Sequence, residues 1–289
     1  MLRTRLLVGS LLALGACGVL FGDSWLAGRG LAWFPFLFAF LMFAGVTATA
    51  ELCLLFPPAA RPGRGFATLG VLACLLTNWL PLLSAPLGLP AVAVWPALVG
   101  AFVGMLVLAF VREILTYAGD GTSVPRVAHT ALILGYLGVL PVFFAQIRWL
   151  SADVEASALM LALLLAVPKG NDVGAYFAGT FLGRHKMTPL LSPKKTWEGF
   201  AGGMLAGTGV AVGLSFVGNV FRHGVVEAAA FGLVVGGAGV LGDLAESLLK
   251  RDGHAKDAAK SIPGFGGLMD VVDSVLFAAP VAYLWFCGV

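Results

Sequence analysis

Asp243, Glu246, Ser247 and Lys250 recur at intervals of three and four residues, which on a helix puts their side chains on one face. Arg251, Lys256, Asp257 and Lys260 follow, and Pro263-Gly264-Phe265-Gly266-Gly267 then breaks regular structure and lets the backbone approach a ligand. Asp270 and Asp273, three apart, share a face of the next helix. Carboxylates from two helices, aimed at one place among cations, are what a divalent metal with a polyphosphate needs. Magnesium takes hard oxygen ligands and commonly combines one or two carboxylates with substrate phosphates. A network of buried ion pairs is the competing explanation, but it must account for the carboxylates and the permissive glycine loop together.

A second polar segment lies upstream, at 169–203. Lys169, Asn171 and Asp172 interrupt an apolar run, and ionisable residues at membrane depth point either to function or to a structural Lys–Asp pair between helices. Gly179 with Gly183, Gly203 with Gly207 and Gly232 with Gly236 have the small-xxx-small spacing of close helix contacts. Arg184, His185, Lys186, Lys194 and Lys195 then collect in one loop with Ser192, Pro193 and Thr196. Point charges and hydroxyls beside a helix start suit phosphate, while the same cations also suit topology control or anionic headgroups. The histidines add little: His129 and His223 read as interface positions, His185 and His254 as loop positions.

The elements that must carry these residues follow from composition. The chain has 289 residues, of which 59% are hydrophobic and only 11% charged, with a formal net charge of +3. Its mean hydropathy is +0.95. That excludes an ordinary soluble domain, and the apolar runs match the length of membrane-crossing helices rather than the short alternating strands of a membrane barrel. The fold expected is all-α: a polytopic transmembrane helical bundle with spans near 6–22, 33–57, 66–83, 91–111, 127–147, 157–183, 199–217, 228–249 and 268–287. With a cytoplasmic N-terminus, fourteen Lys and Arg residues fall in inside loops and only Arg29, Arg148 and Arg222 outside, as the positive-inside rule requires. The odd number of spans then puts the C-terminus outside.

Arg3 and Arg5 ahead of an apolar run ending at Cys17 look like a lipoprotein-type leader, but the run is long enough to serve as a first membrane helix. Cys17, Cys53, Cys74 and Cys287 lie in or beside apolar spans without metal or disulfide spacing, and read as packing residues. Charges in residues 1–150 sit mostly at loop positions, with Glu51 the exception, whereas 169–274 carries charges within spans. Residues 1–150 are therefore expected to be an N-terminal membrane scaffold and 151–289 to hold the site.

The motif 247–273 resembles the signature of the integral-membrane phosphatidate cytidylyltransferases, or CDP-diacylglycerol synthases. That signature runs Ser-x-x-Lys-Arg, four residues, Lys-Asp, then Pro-Gly-His-Gly-Gly-x-x-Asp-Arg-x-Asp. Ser247, Lys250, Arg251, Lys256, Asp257, Pro263, Gly264, Gly266, Gly267, Asp270 and Asp273 keep its residues and spacing; Phe265 replaces the His and Val271 the Arg. Lys169-Gly-Asn171-Asp172, Ser192-Pro193-x-Lys195-Thr196-x-Glu198-Gly199 and Gly242-Asp243-x-x-Glu246-Ser247 are similar to the family as well. The resemblance covers about 169–274; the first half matches only as a hydrophobic helical bundle.

The resemblance implies transfer of CMP from CTP to phosphatidate, giving CDP-diacylglycerol and pyrophosphate in phospholipid synthesis. It implies an Mg2+-dependent enzyme of the bacterial inner membrane, with its site facing the cytoplasm, acting as a homodimer with no nucleic-acid partner. Asp243 and Asp270 are the leading metal ligands it suggests, with Asp273 and Asp172 candidates for a further cation or for orienting lysines. Lys250, Arg251 and Lys256 are expected to neutralise phosphates, with Asp257 holding one of them. Ser192, Lys194, Lys195, Thr196 and Glu198 are expected in a second phosphate-contacting loop, with Lys169, Asn171 and Ser247 also at the substrates. Since all the carboxylates, lysines and glycines of the signature remain, the family His is inferred to be dispensable. A transporter of an anion or ion, with intramembrane charges marking its path, and a CTP-dependent enzyme acting on another lipid are the alternatives.

Overall fold

A computed structural model describes residues 2–84, 88, 92–255, 259, 261–264 and 266–288. Among these, eight helices are long and apolar enough to cross a membrane: Leu7–Ala27, Pro35–Leu55, Arg64–Ser84, Val94–Leu115, Ser123–Ile147, Val154–Phe181, Gly224–Asp252 and Met269–Cys287. The run expected at 199–217 folds as a further helix, Trp197–Leu214, which is not one of those eight. At 18 residues it is the length of about 27 Å of helix, and its glycines lower its hydropathy. The protein is thus a multi-pass helical membrane chain.

One departure from pure helix is local. Lys186–Thr188 and Ser192–Thr196 form a short antiparallel pair in which Lys186 faces Thr196 and Thr188 faces Ser192. This loop leads into the helix Trp197–Leu214, whose first turn is capped by the Thr196 hydroxyl accepting from the Gly199 amide at 3.1 Å.

The chain forms two compact units. The first comprises Met1–Ala145 with Gly253–Met269, the second Gln146–Asp252 with Asp270–Val289. In the first, Leu52, Val71, Cys74 and Leu134 are buried together with the polar exceptions Asp23 and Glu51. Asp23 accepts from the amides of Phe36 and Leu37 at 2.9 and 2.8 Å, so a carboxylate of the first helix satisfies the free N–H groups at the start of the second. His129 lies inside its helix rather than at its start. Its ring stacks on Phe56 with centroids 4.0 Å apart, and Nδ1 is 2.7 Å from the Ala60 carbonyl.

In the second unit, Val154–Phe181, Trp197–Leu214 and Gly224–Asp252 pack closely because small residues line their contacts. A Cβ on Gly232 would come 2.7 Å from the Thr208 Cα, and one on Gly207 would come 3.0 Å from the Val167 carbonyl oxygen. All four cysteines are free thiols, Cys53 and Cys74 buried.

Candidate active site

The polar face anticipated on Gly224–Asp252 exists within the second unit and meets side chains from two other helices and the hairpin. Lys195, from the second strand, approaches Asp243 at 2.7 Å. Lys169 donates to Asp172 Oδ2 at 3.2 Å and to Ser274 Oγ at 3.0 Å, and lies 3.8 Å from Asp273 Oδ1. Lys250 bonds Glu246 one turn back on its own helix and Asp270 on the next, the latter at 2.6 Å. Asp273 also accepts from the Ser274 amide at 2.6 Å.

Glycine makes this convergence possible. A Cβ on Gly242 would fall 2.5 Å from the Asp273 carbonyl oxygen, so only a residue without a side chain lets the helix Met269–Cys287 come so near. A Cβ on Gly239 would meet the Pro168 ring at 3.0 Å, beside Lys169.

Charge does not balance inside the cluster. Among the described residues, three ammonium groups, Lys169, Lys195 and Lys250, face five carboxylates, Asp172, Asp243, Glu246, Asp270 and Asp273, so two negative charges are left over within that set if all ionise. Asp243, Glu246 and Asp273 each offer one oxygen, and the three lie within 4.8 Å of one another. Glu246 is 1% exposed, and its Oε1 has no hydrogen-bond partner among the described residues. A buried, unpartnered carboxylate oxygen is costly, and an all-oxygen donor set carrying surplus negative charge fits a hard divalent cation. These residues therefore fit the magnesium that the sequence suggested.

The expected metal set is brought together in part. Asp243 and Asp273 belong to the three-oxygen cluster, whereas Asp270 lies against Lys250. Glu246 stands in the cluster, and its place on the Asp243 face was the signal available in sequence. Ser274, which accepts from Lys169, had no such signal.

The remaining expected residues divide by position. Asn171 is 1% exposed and donates to the Gly236 carbonyl at 3.0 Å, which joins two helices at their close contact. Thr196 is buried and committed to its helix cap. Glu198 accepts from the Arg184 amide at 3.1 Å, the His185 amide at 3.2 Å and the His185 ring at 2.5 Å. The His185 side chain and then these backbone donors hold its carboxyl down at about 2. Lys194 is exposed, Ser192 and Ser247 half-buried, and exposed Arg251 donates to the Leu191 carbonyl at 3.3 Å. Lys256 and Asp257 lie outside the described residues, as do Lys260 and Phe265.

A carboxylate cluster of this kind, laced with lysines on long apolar helices, has the donor chemistry suited to a hard cation with anionic groups beside it. The chain belongs to the cytidylyltransferase family, whose model matches residues 4–287. It is similar to the uncharacterized protein YnbB of Escherichia coli K12, with 34% identity over 161 residues, covering 54% of this chain and 53% of that protein. It is 37% identical over 147 residues to the phosphatidate cytidylyltransferase of Mycobacterium bovis, covering 50% and 46% of the two chains. With the phosphatidate cytidylyltransferase of Brucella suis the identity is 40% over 136 residues, covering 47% and 50%. The chain spans about half the length of the curated relatives it matches. Membership of this family does not favour the transporter reading.

Proposed function

We propose that this chain is a phosphatidate cytidylyltransferase: it joins the phosphate of phosphatidate to the cytidylyl group of CTP, forming CDP-diacylglycerol and pyrophosphate. The observation that carries the reading is the three-lysine, five-carboxylate cluster in a chain of the cytidylyltransferase family. The name of the Mycobacterium and Brucella relatives supports the choice of lipid.

In this reaction a phosphate oxygen of the lipid attacks the α-phosphorus of CTP, and the bond to the bridging oxygen of the β-phosphate breaks as pyrophosphate leaves. The attacking group is already an anion, so no strong general base is needed, and the work falls to positioning and charge neutralisation. Lys169, Lys195 and Lys250 neutralise phosphate oxygens, while Asp172 and Asp270 orient Lys169 and Lys250. Arg251, Lys194 and Ser192, with Lys256 of the following loop, are assigned to the outer phosphates, and Asp257 to holding one of these cations in place. Asp243, Glu246 and Asp273 are the residues that would hold Mg2+. When bound, that ion supplies charge neutralisation on the polyphosphate.

The same reading takes residues 1–150 as scaffold and 151–289 as the catalytic part. The distribution of Lys and Arg supports a cytoplasmic N-terminus and a site open to cytoplasmic CTP, in a bacterial cell membrane. A homodimer belongs to the same proposal and is tested by light scattering of the purified protein.

The experiment is incubation of purified protein with labelled CTP, Mg2+ and, in parallel, phosphatidate, a polyprenyl alcohol and other lipid acceptors. Labelled CDP-diacylglycerol is expected with phosphatidate alone. Label on a different acceptor would reassign the substrate, and anion uptake into liposomes without any labelled lipid would overturn the enzyme reading.

A further inference from the structure

Glu51 is an acidic residue in the apolar helix Pro35–Leu55, only 5% exposed, and no step of the reaction above uses it. A carboxylate placed there is expensive unless it has a task. Among the described residues, its hydrogen-bond partners lie in one short segment that belongs to the same compact unit, Gly253–Met269. Oε1 accepts from the Ser261 hydroxyl at 2.5 Å and from the Leu268 amide at 3.0 Å, and Oε2 accepts from the Met269 amide at 2.9 Å. Those two amides stand where the helix Met269–Cys287 begins, so they have no acceptor within the helix.

The segment is shaped to receive this carboxylate. Ile262 and Gly266 exchange backbone hydrogen bonds at 2.7 and 3.0 Å, closing a turn in which Gly264 and Gly266 take φ of 85° and 108°. These are left-handed values that favour glycine. A Cβ on Gly267 would lie 2.5 Å from Glu51 Oε2, so a residue without a side chain is required for Glu51 to reach the two amides behind it. The next residue along the chain after Met269 is Asp270.

We propose that Glu51 is a positioning residue for the glycine loop: it clamps both ends of the segment 261–269 and thereby fixes where the helix carrying Asp270 and Asp273 starts. Both carboxylate oxygens are needed, because one accepts two donors and the other a third. Glutamine offers an amide N–H to the Met269 N–H, donor against donor, and aspartate keeps both oxygens on a shorter stem. The effect on turnover, though not the clamp itself, rests on the cytidylyltransferase reading.

The test uses the full chain in detergent or nanodiscs, read by amide hydrogen exchange and by steady-state turnover. Glu51→Ala and Glu51→Gln should raise exchange across 261–269 by on the order of tenfold, leaving exchange in Val154–Phe181 unchanged. The same variants should lower kcat by roughly tenfold or more with a smaller change in the KM for CTP, as expected when reacting groups are misplaced rather than lost. Gly267→Ala should loosen the loop likewise, and adding Glu51→Asp should restore part of the protection because the shorter stem makes room for the new methyl. That rescue separates a clamp from general destabilisation. Unchanged exchange at 261–269 in Glu51→Ala, or no rescue in the double variant, would overturn the clamp. A kcat within about twofold of the unaltered chain would overturn its role in positioning. If the unaltered chain transfers label to no lipid, the reaction falls, and exchange and rescue still decide the clamp.

Discussion

Lys195, on the second strand of the hairpin, and Asp243, on the helix Gly224–Asp252, form an ion pair at 2.7 Å, and Asp243 simultaneously offers an oxygen to the three-carboxylate cluster. One residue thus ties the basic loop to the acidic helix. The cations that sequence reading left open between topology control and phosphate binding include at least one held directly against the candidate metal site.

Lys195→Met should therefore leave Asp243 without its counter-charge and lower turnover by about a hundredfold, since a fixed cation at a phosphoryl centre acts mainly in the transition state. Lys195→Arg should keep more activity than Lys195→Met. Steady-state kinetics with CTP and phosphatidate check both, and a Lys195→Met enzyme within threefold of the unaltered chain would remove Lys195 from the site.

Chelation should stop turnover and Mg2+ should restore it. Glu246→Gln should raise the Mg2+ concentration for half-maximal rate by about tenfold or more, because it neutralises one oxygen donor of the cluster. Asp270→Asn should cut turnover more than tenfold with a smaller shift in Mg2+ requirement, since its carboxylate faces Lys250. The reverse order in a Mg2+ titration would exchange the two assignments.

Gly242→Ala places a methyl 2.5 Å from the Asp273 backbone oxygen, which cannot swing away as a flexible side chain can. The helix Met269–Cys287 must shift, at a cost of about 1–3 kcal/mol of stability, and Asp273 shifts with it. A lower Tm in detergent together with an activity loss larger than that of Gly209→Ala, where a Cβ meets nothing within 4 Å, is the expected result.

Glu198 predicts a pH dependence of definite sign. Its carboxyl is held at about 2, below the ordinary 4.5, so the stability it lends the 184–198 loop is fully present above 4.5 and lost only as pH falls through about 2. Protection of that loop from hydrogen exchange should persist well below pH 4.5 in the unaltered chain. Glu198→Gln should have weaker protection with little pH dependence over the same range.

Much of the architecture was legible in the amino acids. Apolar runs of membrane length marked every long helix, because lipid forces backbone polar groups to pair within a segment and so couples composition to structure. The helix Trp197–Leu214 shows where that coupling weakens: its glycines serve close packing against neighbours, which lowers hydropathy without preventing a helix. The hairpin at 186–196 was not legible, since it rests on one short pairing and on Glu198 reaching back to Arg184 and His185.

For the site, residue types and helical periodicity by themselves determined that Asp243, Glu246 and Lys250 share a face and that Asp270 and Asp273 share another. Periodicity orders side chains around one helix and says nothing about how near a second helix comes. Only the tertiary structure decided that Asp243, Glu246 and Asp273 bring their oxygens together while Asp270 turns to Lys250, that the Asn171 amide donates to the Gly236 carbonyl, and that Glu51 accepts from Ser261, Leu268 and Met269. The physical reason is distance: partner choice among like carboxylates depends on ångström-scale approach, set here by what Gly242 and Gly267 lack.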